Sequence, residues 1–328
     1  MKVRAWQVPR HGEPEAVLER AERALPAPAA GELRIRVAAA GLGLPDVLLC
    51  RGTYAYAPPL PFVPGQEVAG VVSATGPGVR RFRVGERVMG VTNFVAGHGG
   101  FASETLCGEQ GCFRVPDAMG DAAAAAFQIP WHTAHLALVR RGGLRAGETL
   151  AVLGAAGGTG LAAVRLGAAL GARVIAVAGG AEKLAACREE GAALGIDSAR
   201  EDAPERILAE TRGRGADLLF DPIGGPEFPK WLGAVASEGR VLLIGFAAGA
   251  SPAAKTAHVL RRNYSLVGVF VGAYDGAARA AVHEELLALV AAGRIAPRVQ
   301  AERPFDELPA ALGEVAARRV IGKLVLRI

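Results

Sequence analysis

The sequence predicts an α/β protein with two domains, an irregular β-barrel followed by a doubly wound parallel sheet. The chain has 328 residues, more than the roughly 250 at which a single hydrophobic core stops growing. Short β segments separated by turn residues fill the sequence from Val3 to about Phe113. From Asp121 onward, strands and helical segments alternate, which is typical of a parallel sheet with right-handed crossovers.

The individual elements follow from residue patterns. In the first domain, alternation and the spacing of Gly and Pro predict strands at Leu33 to Val37, Glu67 to Ser73 and Gly85 to Met89. Helical runs at Asp121 to Phe127 and Thr133 to Arg140 lead into the second domain. Its predicted strands are Thr149 to Leu153, Arg173 to Ala178, Ala216 to Phe220, Arg240 to Gly245 and Ser265 to Val271. A helix from Phe305 to Arg318 precedes a last strand, Lys323 to Arg327, which is a candidate to return to the first domain.

Composition excludes several classes of protein. Apolar residues make up 51% of the chain, which indicates a well-buried globular protein. The net charge of +5 comes from scattered Arg, and aromatics are only 5%, so nucleic-acid binding is not expected. No apolar run approaches the roughly 18 residues of a membrane span, and the N-terminus lacks the apolar core of a signal peptide. The four Cys show no zinc spacing. We therefore predict a cytoplasmic protein with reduced thiols and no membrane partner.

A glycine-rich loop indicates a dinucleotide site. The predicted strand Thr149 to Leu153 runs into a loop with the sequence GAAGGTG, and an amphipathic helix, Leu161 to Leu170, follows. Strand, glycine loop and helix together form the context in which backbone N–H groups and the helix dipole bind a pyrophosphate. The cofactor-binding candidates of this loop are Gly154, Ala155, Gly157, Gly158, Thr159 and Gly160.

The next strand favours NADPH over NADH. Sites for NAD usually place Asp or Glu at its end to bind the ribose 2′-OH. Here the strand ends in Gly179 and Gly180, and Lys183 follows at the start of the next helix. The 2′-phosphate of NADPH would therefore not be repelled by a carboxylate, and Lys183 could form an ion pair with this phosphate. The alternative for Lys183 is an ordinary solvated side chain on the helix surface.

Ordered matches to a known family cover nearly the whole chain. The matching segments are Leu44 to Leu49, Arg51 to Tyr54, Pro61 to Gly70, Phe82 to Val88, Gly99 to Ala102, Gly154 to Gly160, Asp221 to Gly225 and Gly322-Lys323. The chain resembles the medium-chain dehydrogenase/reductase superfamily, in its zinc-free NADPH:quinone oxidoreductase branch. The resemblance implies a GroES-like catalytic domain at residues 1–122, completed by 296–328, and a Rossmann NADPH-binding domain at 123–295. It also implies a homodimer formed through the edge strand near Leu266 to Val271.

The resemblance gives three positions for a catalytic zinc, which correspond here to Gly43, Gln66 and roughly Ile129. None of these side chains can coordinate zinc, so no metal cofactor is expected. Without a metal to activate an alcohol, the implied reaction is hydride transfer from NADPH to a quinone or an α,β-unsaturated carbonyl. Gly43 departs from the Asn of a Gly-x-Asn-x-x-Asp pattern that relatives usually carry. This change enlarges the pocket, admits a water in place of the amide, or reduces activity.

The resemblance also assigns side chains to the active-site cleft. The catalytic candidates are Tyr54, Gln66, Gly43 and Trp131, and the further cofactor contacts are Thr133, Gly245, Phe246, Phe270 and Lys323. Tyr54 either polarises the acceptor oxygen or supplies a proton, or it packs as an aromatic at the mouth of the site. Gln66 is expected to tie together backbone groups, and Glu67 to form an internal ion pair, with Arg as the suggested partner.

Two other activities remain open on the same scaffold. One is an enoyl-thioester reductase of the enoyl-CoA or polyketide type. The other is a weakly catalytic relative that binds NADPH or RNA.

Overall fold

The computed structural model describes residues 1–251 and 253–328. The chain divides into two compact units. The first comprises Met1–Ile129, Asp275–Ala280 and Pro297–Ile328, and the second comprises Pro130–Tyr274 and Ala281–Ala296. The strands are β1 Lys2–Gln7, β2 Glu19–Ala24, β3 Glu32–Gly41, β4 Glu67–Thr75, β5 Arg87–Val91, β6 Glu104–Gly108, β7 Cys112–Arg114, β8 Thr149–Leu153, β9 Arg173–Ala178, β10 Leu194–Asp197, β11 Ala216–Asp221, β12 Val235–Leu243, β13 Ser265–Gly268, β14 Val299–Pro304 and β15 Lys323–Arg327.

Helices connect these strands. The α-helices are α1 Pro14–Val17, α2 Leu44–Arg51, α3 Asp121–Ala125, α4 Gln128–His135, α5 Gly158–Ala169, α6 Ala181–Glu189, α7 Ala203–Glu210, α8 Phe228–Trp231, α9 Thr256–Arg262, α10 Gly276–Ala291 and α11 Leu308–Ala316. A π-helical segment, Leu136–Arg141, continues α4. Short 3₁₀ segments lie at Phe94–Ala96, Glu109–Gly111, Leu232–Ala234, Val271–Ala273 and Phe305–Glu307. Among the described residues, no helix combines the length and the apolar character needed to cross a bilayer.

The first unit is built on a seven-stranded sheet of order β14-β15-β3-β4-β5-β7, with β6 also paired to β3. Side chains such as Leu33, Phe62 and Phe101 are fully buried in its core. The last strand of the chain, β15, runs antiparallel to β3, so that Val325 lies opposite Gly41. The C-terminal strand therefore returns to the N-terminal domain, as the resemblance implies.

The second unit contains a six-stranded sheet of order β10-β9-β8-β11-β12-β13, in which every pairing is parallel. The chain runs outward in one direction from β8 through β9 to β10, and in the other from β11 to β13. The strand order thus reverses between β8 and β11, and ligands of such sheets bind at the carboxyl ends of the strands at that point. The predicted fold class, a doubly wound parallel sheet with a second, irregular β domain, is confirmed.

Several predicted boundaries are wrong. Strand β10 was not predicted, and β12 begins at Val235 and ends at Leu243, although Arg240 to Gly245 was expected. A bulge in the pairing with β11 and a positive φ at Glu238 hide the regular alternation of β12. Strand β13 ends at Gly268 because a 3₁₀ turn begins at Val271.

Three predicted helices also differ from those observed. The helix predicted at Thr133 to Arg140 begins at Gln128, since Pro130 lies within its first turn, where Pro costs little. The first Ala-rich helix ends at Ala125, and the predicted helix Phe305 to Arg318 starts with a 3₁₀ turn before α11. In each case only the termini are misplaced, because capping and local turns set them.

Candidate functional site

The glycine-rich loop joins the fully buried strand β8 to helix α5. Gly154 has φ of 58°, a conformation that favours glycine. A Cβ atom on Gly160 would lie 2.3 Å from the carbonyl oxygen of Gly154, so the helix can approach the loop only because Gly160 lacks a side chain. Both residues are therefore required by the fold of the loop.

Gly157 differs from these two glycines. Its backbone is extended, with φ of −76°, and a Cβ atom there would lie 3.5 Å from its nearest neighbour, the Gly154 oxygen. Gly157 is exposed, and the fold would accept a residue with a side chain at this position. The open space above it, next to the N–H groups in the first turn of α5, fits an approaching anion such as a pyrophosphate. Ala155, Gly158 and Thr159 complete the loop.

The loop after β9 is held by a carboxylate from the neighbouring strand. The Gly180 N–H donates to Asp197 Oδ1 at 3.0 Å, and the Ala199 N–H donates to the same atom at 3.0 Å. These amides lower the pKa of Asp197. Gly180 has φ of 93°, and Lys183 lies in the first turn of α6 just beyond it. Asp197 thus fixes the backbone at the expected position of the adenosine ribose.

Strand β11 ends in another carboxylate that organises a loop. The buried Asp221 Oδ1 accepts hydrogen bonds from the Ile223 N–H at 2.8 Å and the Gly224 N–H at 3.0 Å. Burial raises the pKa of Asp221, and the two amides oppose this rise. A Cβ on Gly154 would lie 3.5 Å from Ile223 Cδ1, so this turn adjoins the glycine-rich loop.

The other cofactor candidates of the second unit lie around the carboxyl side of the same sheet or on α4. Gly245 and Phe246 follow β12, and a Cβ on Gly224 would lie 2.9 Å from Phe246 Cδ1. Phe246 and Phe270 are 46% and 51% exposed, which is unusual for Phe and suits them to cover a ligand. Trp131 and Thr133 lie on α4, where Trp131 is buried. Their contacts with a cofactor stay predictions.

In the first unit, Gly43 lies at the start of α2, and its N–H donates to Asp46 Oδ2 at 2.9 Å. A Cβ on Gly43 would lie 3.6 Å from Lys323 Nζ and 3.7 Å from Asp46 Oδ2. We call the space at that position, bordered by these two atoms, the Gly43 recess. Gly43 has an extended backbone, with φ of −141°, so it is not there for its conformational freedom.

A buried ion pair adjoins the recess. Lys323 Nζ pairs with Glu67 Oε1, and the two side chains are 10% and 3% exposed. The other carboxylate oxygen, Glu67 Oε2, accepts the Ile129 N–H at 3.0 Å. The internal ion pair expected for Glu67 is therefore present, but its partner is Lys323, not Arg. Lys323 lies at the start of β15, which pairs with β3, and its ammonium pairs with Glu67 at the start of β4, the strand on the other side of β3.

Asp46 is the third charged group of this region. It is only 2% exposed, and the backbone amides of Gly43 and Gly65 both act on its carboxyl group. Burial raises the pKa of Asp46 to about 7, although the Lys323 ammonium and the Gly43 amide oppose the rise. Asp46 was predicted only as part of a family pattern, and its interaction with Lys323 of β15 joins residues that are remote in sequence.

Gln66 and Tyr54 are neighbours. Burial raises the pKa of the Tyr54 hydroxyl, and the adjacent Gln66 side chain opposes this rise. The Tyr54 ring also contacts Tyr56 and Phe94, with ring centroids 6.2 Å apart in each case. Gln66 is buried, and its side chain interacts with the Tyr54 hydroxyl. Its backbone carbonyl accepts the Thr92 N–H at 2.9 Å.

The residues of the first unit do not fit a catalytic zinc. Gly43, Gln66 and Ile129 supply no thiolate, imidazole or carboxylate. Across the described residues, no group of three or more His, Cys, Asp and Glu side chains is arranged to hold a metal ion. The polar contacts of this region involve the Lys323 ammonium, the two carboxyl groups and backbone amides instead.

Comparisons with known proteins match both units. One family model, described as "Alcohol dehydrogenase GroES-like domain", matches residues 29–117, and another, described as "Zinc-binding dehydrogenase", matches residues 158–292. A quinone oxidoreductase-like protein 2 homolog from Nematostella vectensis is 33% identical over 300 residues, covering 90% of this chain and 81% of that protein.

Solved structures agree over the full length. A quinone oxidoreductase from Pseudomonas syringae has a TM-score of 0.90 and 28% identity, covering 99% of this chain and 100% of that chain. A mycobacterial protein solved in complex with NADPH has a TM-score of 0.91 and 28% identity, with the same coverage. From its two matched domains, its glycine-rich loop and these relatives, the chain belongs to the medium-chain dehydrogenase/reductase superfamily, in the quinone oxidoreductase branch.

Proposed function

We propose that the protein is an NADPH-dependent reductase that transfers a hydride directly to a quinone or an α,β-unsaturated carbonyl, without a metal. The observation that carries this proposal is the identity of the residues at the three positions that the family resemblance assigns to zinc ligands, which here are Gly43, Gln66 and roughly Ile129. They lie beside a buried cluster of charged side chains. A zinc-dependent alcohol oxidation needs a Lewis acid that these residues cannot hold. An acceptor that is already electrophilic does not need one.

The cofactor fits the residues of the second unit. The α5 N-terminus and the open face of Gly157 would hold the pyrophosphate, and Lys183 would pair with the 2′-phosphate. No carboxylate ends β9, and Asp197 Oδ1, from the next strand, is already bonded to two amides. When bound, NADPH supplies the hydride from C4 of its nicotinamide. Phe246 and Phe270 would cover it from solvent.

Tyr54 and Gln66 are the proposed ligands of the acceptor oxygen. A hydroxyl and an amide that donate to this oxygen would stabilise the negative charge that develops there as the hydride arrives. A tyrosine hydroxyl is ordinarily protonated at neutral pH, and burial raises the pKa of Tyr54 further, so it can donate. The Gln66 amide is buried next to the Tyr54 hydroxyl, so both groups could donate to one substrate oxygen.

The activity is tested by following NADPH oxidation with 1,2-naphthoquinone, 9,10-phenanthrenequinone and a simple enone. We expect turnover with at least one acceptor, unchanged by EDTA, in protein that elemental analysis shows to be free of stoichiometric zinc. No turnover with the whole panel, or activity lost with EDTA and restored by zinc, would refute the proposal. Faster turnover with crotonyl-CoA than with any quinone would reassign the protein to enoyl-thioester reduction.

We also propose that the protein is a homodimer formed through β13. This strand lies at the edge of the parallel sheet, and its outer backbone groups would pair with the same strand of a second copy. Light scattering coupled to gel filtration should give twice the chain mass. Leu266→Pro should shift the mass to that of a monomer, because Pro removes a backbone donor from the edge.

A further inference from the structure

Two of the four cysteines, which the proposed hydride transfer does not use, lie side by side in the first unit. Cys107 lies near the end of β6, Cys112 begins β7, and the 3₁₀ turn Glu109–Gly111 joins the two strands. Both side chains are fully buried, and their thiols hydrogen-bond to each other. The pairing of β strands therefore produces a dithiol, a chemical group that neither cysteine provides alone.

Gly90 of β5 makes room for the two thiols. It lies opposite Cys112 in the antiparallel pairing of β5 with β7. A Cβ atom on Gly90 would lie 2.8 Å from Cys112 Sγ and 3.5 Å from Cys107 Sγ. Both sulfur atoms thus border the space that a side chain at residue 90 would fill. A disulfide, with an S–S length of about 2.05 Å, requires these two neighbouring atoms to approach each other and no distant segments to meet.

The position of β7 gives an oxidant a route to this dithiol. The strand is three residues long and lies at the edge of the seven-stranded sheet. Segments at such an edge open locally at a lower free energy than global unfolding. While the strand is closed, burial raises the pKa of the Cys107 thiol well above its usual range, and a buried, protonated thiol is inert. The dithiol is therefore protected in the closed state and becomes reactive when β7 opens.

We propose that Cys107 and Cys112 form a reversible disulfide when the protein encounters a peroxide. The Cys112 thiolate, on the edge strand, attacks the O–O bond of hydrogen peroxide and becomes a sulfenic acid, and one water leaves. The Cys107 sulfur then displaces the sulfenic hydroxyl, which leaves as a second water, and the S–S bond forms. Together the two thiols lose two electrons and two protons, and the peroxide gains them. Two molecules of a small thiol such as glutathione reverse the reaction.

Cys50 is the matched control for this dithiol. It is also fully buried in the first unit, and burial raises its pKa to about 12. Among the described residues, no other cysteine contributes to that rise. A sulfenic acid formed at Cys50 would therefore find no neighbouring thiol. Burial alone predicts the same behaviour for all three thiols, whereas the dithiol predicts a difference between Cys50 and the other two.

The test treats the full-length protein with hydrogen peroxide, removes the excess and alkylates the unfolded chain with iodoacetamide. The wild type should lose two of its four alkylatable thiols and the mass of two hydrogen atoms, and dithiothreitol should restore both. Peptide mapping without reductant should link residue 107 to residue 112. Cys50→Ser should form the same bond, whereas Cys107→Ser and Cys112→Ser should form no disulfide.

Thermal unfolding of the wild type provides a readout that needs no variant. A disulfide that fits the native geometry restrains the unfolded chain, so the oxidised protein should unfold about 2–4 °C above the reduced protein. A lower Tm after oxidation would show that the bond strains the fold, and it would overturn the proposal.

The remaining outcomes also decide the question. Recovery of all four thiols after peroxide treatment would overturn the inference, as would a disulfide between any other pair of cysteines. A sulfinic acid on Cys112 in the wild type, with Cys107 still a thiol, would show that the second step does not occur. The inference does not depend on the proposed reductase activity, since none of these measurements uses NADPH or an acceptor.

Discussion

The glycine-rich loop and the Gly43 recess are both built around glycine, but they are built in different ways. The loop consists of consecutive residues, and its binding groups are backbone amides at the start of α5. The recess is bordered by side chains from α2 and β15, with Glu67 of β4 behind them. A ligand site made of backbone can be recognised from a local motif. A site made of distant side chains exists only once the strands have paired.

The largest expected effect is on the side-chain site. Lys323→Met should destabilise the protein by about 3–5 kcal/mol, since it leaves Glu67 buried without its cation. Denaturant unfolding monitored by circular dichroism measures this loss. The double variant Lys323→Met with Glu67→Gln is the matched control, and it should recover most of the stability. An unchanged denaturant midpoint in Lys323→Met would show that the Lys323–Glu67 pair contributes nothing to stability.

Two glycines within the glycine-rich loop should differ in how much their substitution destabilises the protein. Gly160→Ala should destabilise the protein by about 1–3 kcal/mol, because its Cβ would lie 2.3 Å from the Gly154 oxygen. Gly157→Ala should change stability by less than about 0.5 kcal/mol, since its Cβ would enter open space. Thermal unfolding compares the two variants.

The same pair of variants tests cofactor binding. Gly157→Ala should raise the Kd for NADPH at least tenfold, or about 1.4 kcal/mol, because the methyl group would keep the pyrophosphate from the backbone. Fluorescence titration of bound NADPH measures this. We assign Gly160 to the fold of the loop and Gly157 to cofactor binding. An equal loss of stability in both variants, or unchanged NADPH affinity in Gly157→Ala, would contradict this assignment.

The smallest predicted effect concerns the 2′-phosphate. Lys183→Ala should weaken NADPH binding by about 1 kcal/mol, the upper end of the range for a solvent-accessible ion pair, and leave NADH binding unchanged. Arg188→Ala, in the last turn of the same helix, is the matched control and should alter neither. If Lys183→Ala lost the same affinity for NADPH and for NADH, Lys183 would not be the partner of the 2′-phosphate.

The sequence was sufficient for the fold class and for the order of strand, glycine-rich loop and helix in the second unit. The contacts of that loop with a cofactor stay predictions. Strands β8, β9 and β15 have the predicted bounds, because each is a short apolar or alternating run ended by Gly or a polar residue. β12 was misplaced because a bulge interrupts its pattern. Asp197 was missed because it acts on the loop of a neighbouring strand, and no local motif marks such a partner.

What the sequence by itself determined is the order of elements, the glycine loop and the absence of zinc ligands at Gly43, Gln66 and Ile129. These depend on residue identity and on neighbours close along the chain. Only the tertiary structure decided that Lys323 would be the partner of Glu67, and that Asp46 would be buried beside it with a raised pKa. That arrangement requires β15 to pair with β3 and so depends on a contact between the two ends of the chain, which local patterns do not specify.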